Sequence, residues 1–524
     1  MRDPDVSLKG LGLNNSIIFQ VDLFMKNFLS LLYCFLVLLL VVPLPAQDRD
    51  RLLSDFDAYV EQSRQRFEVP GCAVAIVHQG EVIFSKGYGH LSVKEETPVN
   101  TETLFGIMST TKAMTAAAMG VLVDEGKVSW DDRVVDYLPD FQLYDPYVTR
   151  SLRVRDLFTH NAGLGNTDFL WAWDSKADQD YILQQMRLAV PAYPFRGGYT
   201  YQNIMYLVAG KVIEAVSGMT WERFMKERIY APLDMNNTFP NLAYSQQYQN
   251  RSRAHQRLND DIITIPEMSA DPIAPAGATW STIADMAKWV QFMLEDEGDL
   301  LSTETKAEIL KPQVIIPREQ FYPTTQLTQP NWTTYGLGWF QQDYRGSMLN
   351  FHTGSLDGRT AIVGLMKEHD FGFYFFGNLD HAELRHALML RAIDAFVFED
   401  TQRDWSEEVY TLYAKMREAG EAALEKRNEL RVEGTSTSHA LSAYVGEYTH
   451  PFYGTAKIFL QDDGLHFKMG PEQTGSLVHW HYDTFMVHFE KAWWTPSLIT
   501  FRTDSQTGSI NELAVGAMVL KRQK

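Results

Sequence analysis

Apolar residues recur at two different periods along this chain, and the change of period marks its organisation. From 105 to 126 they keep helical spacing at Met114, Ala117, Ala118, Val121 and Leu122. Ala113, Ala116 and Met119 carry the apolar character round the other faces, which predicts a helix buried on all sides. A second clear helix is predicted from Ile204, Leu207, Val208, Val212, Ile213 and Val216, ending at Gly218, and shorter ones over 281–294 and 303–310. Strand patterns flank this helical middle. Gly71–His78 and 82–87 read as a hairpin turning at Gln79 and Gly80, and 335–340, 347–352, 360–366 and Phe371–Gly377 read as strands before a helix over 382–398. Strands at both ends of a helical middle predict an α+β fold: an antiparallel sheet made from the two chain ends, helices on both faces, and an inserted helical subdomain.

Beyond 400 the pattern changes again. Trp405, Val409, Leu412 and Met416 line one face of a charged helix reaching 431, and Glu433 to Ser438 is a polar linker. Short alternating runs then dominate, at 455–460, 465–469, 477–482, 485–489, 498–502 and 513–520, with turns at Asp462-Asp463-Gly464 and Thr507-Gly508. They predict a small antiparallel β domain, closed or nearly so. At the other end, Lys26 precedes an apolar run over 28–42 and then Pro43 to Ala46. This has the form of a secretory signal cut after a small residue, with Met25 the natural start rather than Met1; an uncleaved signal anchor is the alternative. The expected division is a signal peptide over 1–46, a first domain over 47–402, a helical linker over 403–438 and the β domain over 439–524. Such a chain is periplasmic or secreted, and meets a membrane only during export.

Composition narrows the function. The 524 residues, 45% of them hydrophobic, are enough to bury a large core. A net charge of −19 without any basic run excludes nucleic acid as a partner. Cys34 falls in the segment expected to be removed, which leaves Cys72 as a lone thiol with no disulfide. His479, His481 and His488 have no cysteine or acid cluster to complete a ligand set, so neither a metal nor another cofactor is expected.

The candidate chemistry sits at the start of the buried helix. Ser109 and Lys112 are three residues apart, so hydroxyl and ammonium share a face one turn apart. Burial pulls a lysine pKa down from its free value of about 10.4, towards a state that can take a proton. Two later stretches belong with this pair: Tyr201-Gln202-Asn203 and His352-Thr353-Gly354-Ser355. In order and separation, Ser109-Thr-Thr-Lys112 and these two stretches resemble the three motifs of the serine β-lactamase-related hydrolases. That group includes class C β-lactamases, D-alanyl-D-alanine carboxypeptidases, D-aminopeptidases and esterases. The stretches 157–164 and 275–287 also resemble the family, and the segment from Leu441 is similar to the lipocalin-like domain that follows this hydrolase in many members.

The resemblance implies an acyl-enzyme on Ser109. Either Tyr201 or Lys112 is the general base, the backbone N–H groups of Ser109 and Ser355 form the oxyanion hole, and Asn203, His352, Thr353 and Gly354 bind substrate. Gly354 then allows substrate to approach the backbone, and Arg359 is a candidate contact for a substrate carboxylate. One departure matters. His352 stands where class C β-lactamases carry lysine, replacing a permanent cation by a group that ordinarily titrates near pH 6.5. That favours a peptidase, amidase or esterase acting on D-amino-acid-containing or small amide and ester substrates. The alternatives are a class C-like β-lactamase and a catalytically silent binder of penicillin or cell-wall peptides. The C-terminal β domain has two roles open to it, capping the cleft or joining copies of the chain into a homo-oligomer.

Overall fold

The computed structural model describes residues 46–172, 177–296 and 298–523. The expected signal lies, but for its last residue, outside them. Among the described residues no helix is long and apolar enough to cross a membrane.

Gly71–His78, a run of small and β-branched residues, is buried over nearly its whole length because it has a partner on each side. Glu81–Ser92 returns beside it through a turn at Gln79 (φ 54°) and Gly80 (φ 76°), the mirror-image geometry that tight hairpins require. On the other side it pairs antiparallel with Phe371–Gly377, Cys72 opposite Gly377 and His78 opposite Phe371, so the two ends of the domain meet in one sheet as the pattern predicts. The sheet has nine strands. From the edge they run Glu95–Pro98, Glu81–Ser92, Gly71–His78, Phe371–Gly377, Arg359–Met366, Ser347–Leu356, Phe340–Tyr344, Thr333–Tyr335 and Val314–Ile315.

Helices cover both faces. Leu365 lies opposite Gly372, so Gly364 and Gly372 point to opposite sides. A side chain at Gly372 would run into Val290 of the helix Ile283–Leu294, and one at Gly364 into Met389 of the helix Leu384–Val397. The two glycines set how closely each helix seats. Between the strand blocks lies the helical subdomain, in which Thr111–Asp124 packs against Ile204–Ser217 and is buried from Thr111 to Leu122.

After the long helix Trp405–Glu429, eight strands between Gly446 and Arg522 close into an antiparallel barrel. Two expectations change here. The run over 513–520 is not one strand but the hairpin Ile510–Val515 and Met518–Arg522, broken at Gly516, whose φ of 59° turns the chain. Gly446–His450, whose alternation is short and polar, supplies the remaining strand and closes the barrel against Met518–Arg522.

Candidate active site

Ser109 does not open the α-helix itself. It lies in a 3₁₀ turn, Met108–Thr110, that runs straight into the helix at Thr111. Met108 is held at φ 46°, a region costly for a residue with a side chain. The Thr110 hydroxyl fixes the turn by donating to the Ile107 carbonyl (2.8 Å) and meeting the Tyr374 hydroxyl at 2.6 Å. Ser109 is left partly exposed between buried neighbours.

Lys112 is 0% exposed. Its Nζ lies 2.6 Å from Asn203 Oδ1, 2.9 Å from the Ala276 carbonyl oxygen and 3.1 Å from Ser109 Oγ. Two of these partners only accept, and the third, a hydroxyl, can donate or accept. An ammonium therefore satisfies all three. A neutral amine donates its two N–H groups to Asn203 and Ala276 and turns its lone pair towards Ser109. Burial brings the Lys112 pKa down to about 7, against an opposing pull from the Asp168 carboxylate.

Tyr201 completes the surroundings of Ser109. It lines the same cleft as Ser109, and burial holds its pKa well above 10 against an opposing interaction with Ser109, so it is a phenol that can give a proton. Its ring lies 4.9 Å from Lys112 Nζ. The loop over 159–165 places it: the Gln202 N–H donates to His160 Nδ1 (2.9 Å), the Thr200 N–H to the His160 carbonyl (3.0 Å), and the His160 ring packs 4.4 Å from that of Tyr201. His160 is thus a buried structural anchor, with a pKa pushed well below 6.5. Asn203 precedes the helix Ile204–Ser217 but makes no capping bond. Its Oδ1 faces Lys112 and its Nδ2 donates to Asp168 Oδ2 at 2.9 Å.

The opposite wall is the strand Ser347–Leu356. It is paired on both sides only as far as Phe351, opposite Phe340; beyond that it pairs with Arg359–Met366 alone, and its free edge borders the Ser109 turn. A Cβ added to Gly354 would lie 2.5 Å from the Ile107 carbonyl oxygen and 3.2 Å from the Ser109 nitrogen. The glycine is therefore required by the Ser109 turn itself. The same closeness puts the N–H groups of Ser109 and Ser355 beside one cleft. Thr353 lines that cleft and bonds the Tyr322 hydroxyl.

Two expected substrate contacts are placed elsewhere. His352 is 0% exposed; its Nδ1–H donates to the Thr353 carbonyl (2.6 Å) and its Nε2 accepts from the Tyr335 hydroxyl (2.9 Å). Burial lowers its pKa to about 3, so it is neutral and occupied, and does not titrate beside substrate near pH 6.5. Arg359, 2% exposed, pairs with Glu267, donates to the Ser252 carbonyl (2.9 Å) and lies over the Trp280 ring. It is a core ion pair, not a carboxylate contact.

Sequence reasoning missed two partners. Asp168 orients Asn203 while accepting from Trp171 Nε1 (3.0 Å); its only signal was an acid closely following the 159–165 loop. Arg385, paired with Glu383, donates to the Gly354 carbonyl (2.6 Å) and to Ser355 Oγ (2.8 Å), pinning the strand from behind. It had no signal, because it sits in an ordinary helical pattern. The cleft encloses ≈ 350 Å³, and its walls are Tyr199, Tyr201, Phe321, Tyr322 and Phe340 with neutral polar groups, without an Arg or Lys among its lining residues.

Comparison with known proteins agrees with this geometry. The family described as Beta-lactamase matches residues 56–397, and a domain of unknown function, DUF3471, matches 430–522. The unguisins hydrolase ungD' of Aspergillus campestris is 28% identical over 430 residues, covering 79% of each chain. The octameric penicillin-binding protein homologue from Pyrococcus abyssi superposes with a TM-score of 0.59 at 19% identity, over 89% of this chain and 99% of its own. The D-amino acid amidase from Ochrobactrum anthropi SV3, solved with L-phenylalanine, gives 0.56 at 22% identity, over 66% of this chain and 98% of its own.

Proposed function

Since the chain belongs to the beta-lactamase family and is a serine hydrolase, we propose that it cleaves neutral amides or esters that carry aromatic or apolar groups, through an acyl-enzyme on Ser109. The observation that carries this reading is Ser109 Oγ held by Lys112 and sharing with Tyr201 a cleft walled by aromatic rings. Lys112, as the neutral amine, takes the Ser109 proton as Oγ bonds to the carbonyl carbon. The developing oxyanion faces the N–H groups of Ser109 and Ser355, donors worth about 2.7 to 4 kcal/mol each in such sites. As the bond to the leaving group breaks, the Tyr201 hydroxyl gives that group its proton, and the proton held by Lys112 restores the phenol. Water repeats the sequence in reverse to free the acid.

The absence of a lining cation supports neutral substrates over β-lactams or peptides recognised by a terminal carboxylate. The amidase and hydrolase names of the relatives agree with this preference. Export belongs to the same reading and rests on the apolar run over 28–42 and the small residue at Ala46. So does assembly into a homo-oligomer, the state named for the Pyrococcus abyssi homologue.

A fluorophosphonate probe tests the chemistry: it labels Ser109 in the wild type and leaves Ser109→Ala unlabelled. A panel of D-amino-acid amides, D-Ala-D-Ala peptides, p-nitrophenyl esters and a chromogenic cephalosporin tests the substrate class. Amides and esters rank first; a cephalosporin or a free carboxy-terminal peptide ranking first would defeat the reading. N-terminal sequencing of the exported chain and its mass in solution check the other two points.

A further inference from the structure

The barrel is open at one end. Tyr444 fills the other, its ring packed 5.5 Å from Phe485 and 4.9 Å from Phe501, with its hydroxyl bonded to Asp483. Strands alternate in direction, so the hairpins at 450–454, 469–473, 489–497 and 515–518 all lie at the open end. There a cavity of ≈ 450 Å³ is lined mainly by apolar side chains, among them Phe467, Met469, Val487, Phe489, Ile499 and Met518. That size falls within the range of small-molecule pockets.

This mouth faces the hydrolase domain. Phe452 and Tyr453 of the first hairpin pack on Phe169 at 5.0 and 4.7 Å, and Trp493 Nε1 of the third donates to Asp357 Oδ2 at 3.4 Å. The cavity wall itself includes Asp357, Ala172 and Met268. Two short connections therefore join cavity and cleft. Asp357 is two residues beyond Ser355, at most about 7 Å of chain. Asp168, bonded to Asn203 of the cleft, immediately precedes the short helix Phe169–Ala172, which meets the barrel through Phe169 and the cavity through Ala172.

The direction follows from proton delivery. The leaving group must lie by the Tyr201 hydroxyl, and the Tyr201 ring packs on Phe340 and His352, the side of the strand before Ser355. The acyl part therefore leaves the carbonyl on the other side, along Leu356 and Asp357. We propose that the mouth of the barrel is a subsite of the catalytic cleft that takes an apolar extension of the substrate's acyl group. This rests on the acyl-enzyme reading above, and it narrows the substrates to acyl compounds or peptides with an apolar portion beyond the scissile carbonyl.

The test uses the full chain and p-nitrophenyl esters from acetyl to decanoyl. In the wild type, kcat/KM rises at least tenfold along the series. Met518→Trp and Ser497→Trp, each filling the mouth, keep the wild-type rate on acetate and lose at least tenfold on decanoate, chiefly through KM. Val478→Trp, on the exposed outside of the barrel, changes neither. Circular dichroism confirms that each variant is folded, and having two filling variants covers the failure of one. A flat chain-length series, or a preference for decanoate that survives in the folded filled variants, overturns the proposal. So does a series in which the tail is favoured on the leaving alcohol instead of the acyl group. Loss of acetate hydrolysis and of Ser109 labelling in the wild type would mark failure of the catalytic reading instead.

Discussion

Replacing Asp168 by asparagine should move the acid limb of the pH–rate profile to lower pH and reduce the plateau. With Lys112 as base, kcat/KM follows its neutral fraction, so the wild-type rate rises with pH through about 7 and levels above it. Asp168 favours the ammonium. Its carboxylate reaches Lys112 across the Asn203 amide, through contacts of 2.9 and 2.6 Å, so the charges are at most about 8 Å apart. Two unit charges at that distance interact by roughly 2 kcal/mol at an effective dielectric of 20. Asp168 is partly exposed, and solvent screening reduces that figure. Removing the charge then lowers the Lys112 pKa by about 0.5 to 1.5 units.

The plateau falls for a separate reason. The Asp168 oxygens accept from both the Asn203 amide and the Trp171 indole, and an asparagine turns one acceptor into a donor facing a donor. Losing one such bond costs about 1 to 3 kcal/mol, and a tenfold drop in the plateau corresponds to about 1.4. The assay is kcat/KM on a p-nitrophenyl ester between pH 5 and 10 for both proteins. An unmoved acid limb refutes the coupling. A wild-type limb still rising beyond pH 10 refutes Lys112 as base and assigns the role to Tyr201, whose phenol titrates well above 10.

Gly354→Ala places a methyl group 2.5 Å from the Ile107 carbonyl oxygen, so the strand must part from the Ser109 turn, and kcat should fall at least a hundredfold while KM changes less. Arg359→Met leaves Glu267 without its partner and should cost about 3 to 5 kcal/mol in urea unfolding with KM unchanged; a selective rise in KM for carboxylate substrates would restore the contact expected from sequence. Lys112→Met abolishes labelling and alters the pH dependence of stability. The folded pKa of Lys112 lies near 7, below its ordinary 10.5, so between those values the unfolded chain binds more protons and wild-type stability rises with pH. The amine accordingly costs up to about 5 kcal/mol below pH 7, and this falls away as pH approaches 10.5. The stability gap between Lys112→Met and wild type should narrow from pH 7 to 10 in parallel urea titrations; a constant gap would contradict the depressed pKa.

The fold was legible wherever period alone decides an element. The buried helix after Ser109, the central strand Gly71–His78 and its pairing with the far end of the domain all follow from apolar spacing and from the placement of strands around a helical middle. Ser109 and Lys112 lie together as helical spacing predicts, and Asn203 and Tyr201 stand beside them as the family resemblance implies. What sequence could not provide is the environment of a polar group. His352 looks like a titrating substrate contact until Tyr335 and the Thr353 carbonyl are seen to use both ring nitrogens. Arg359 looks available until Glu267, distant in the chain, is folded against it. Burial and partnership are long-range properties, and a histidine or arginine has the same local pattern with or without them.

The strand Ser347–Leu356 links these observations. Up to Phe351 its backbone is used by neighbours on both sides; from His352 onward one edge is unpaired because Phe340 is the last residue of the adjoining strand to reach it. An unpaired edge in a water-filled groove would be mobile and prone to pair with other chains. Here it is held from behind by Arg385 at Gly354 and Ser355, and from the front by the Ile107–Ser109 turn that Gly354 admits. The Ser355 N–H is thereby fixed beside the Ser109 turn without a protein partner strand, as its proposed role as an oxyanion donor that needs no reorganisation during reaction requires. The two residues that follow carry the chain to Asp357 at the barrel mouth, so the segment that carries the Ser355 N–H also sets the distance to the apolar cavity. A change in the length of the 356–358 turn would therefore alter acyl selectivity while leaving the Ser109–Lys112–Tyr201 contacts as they are.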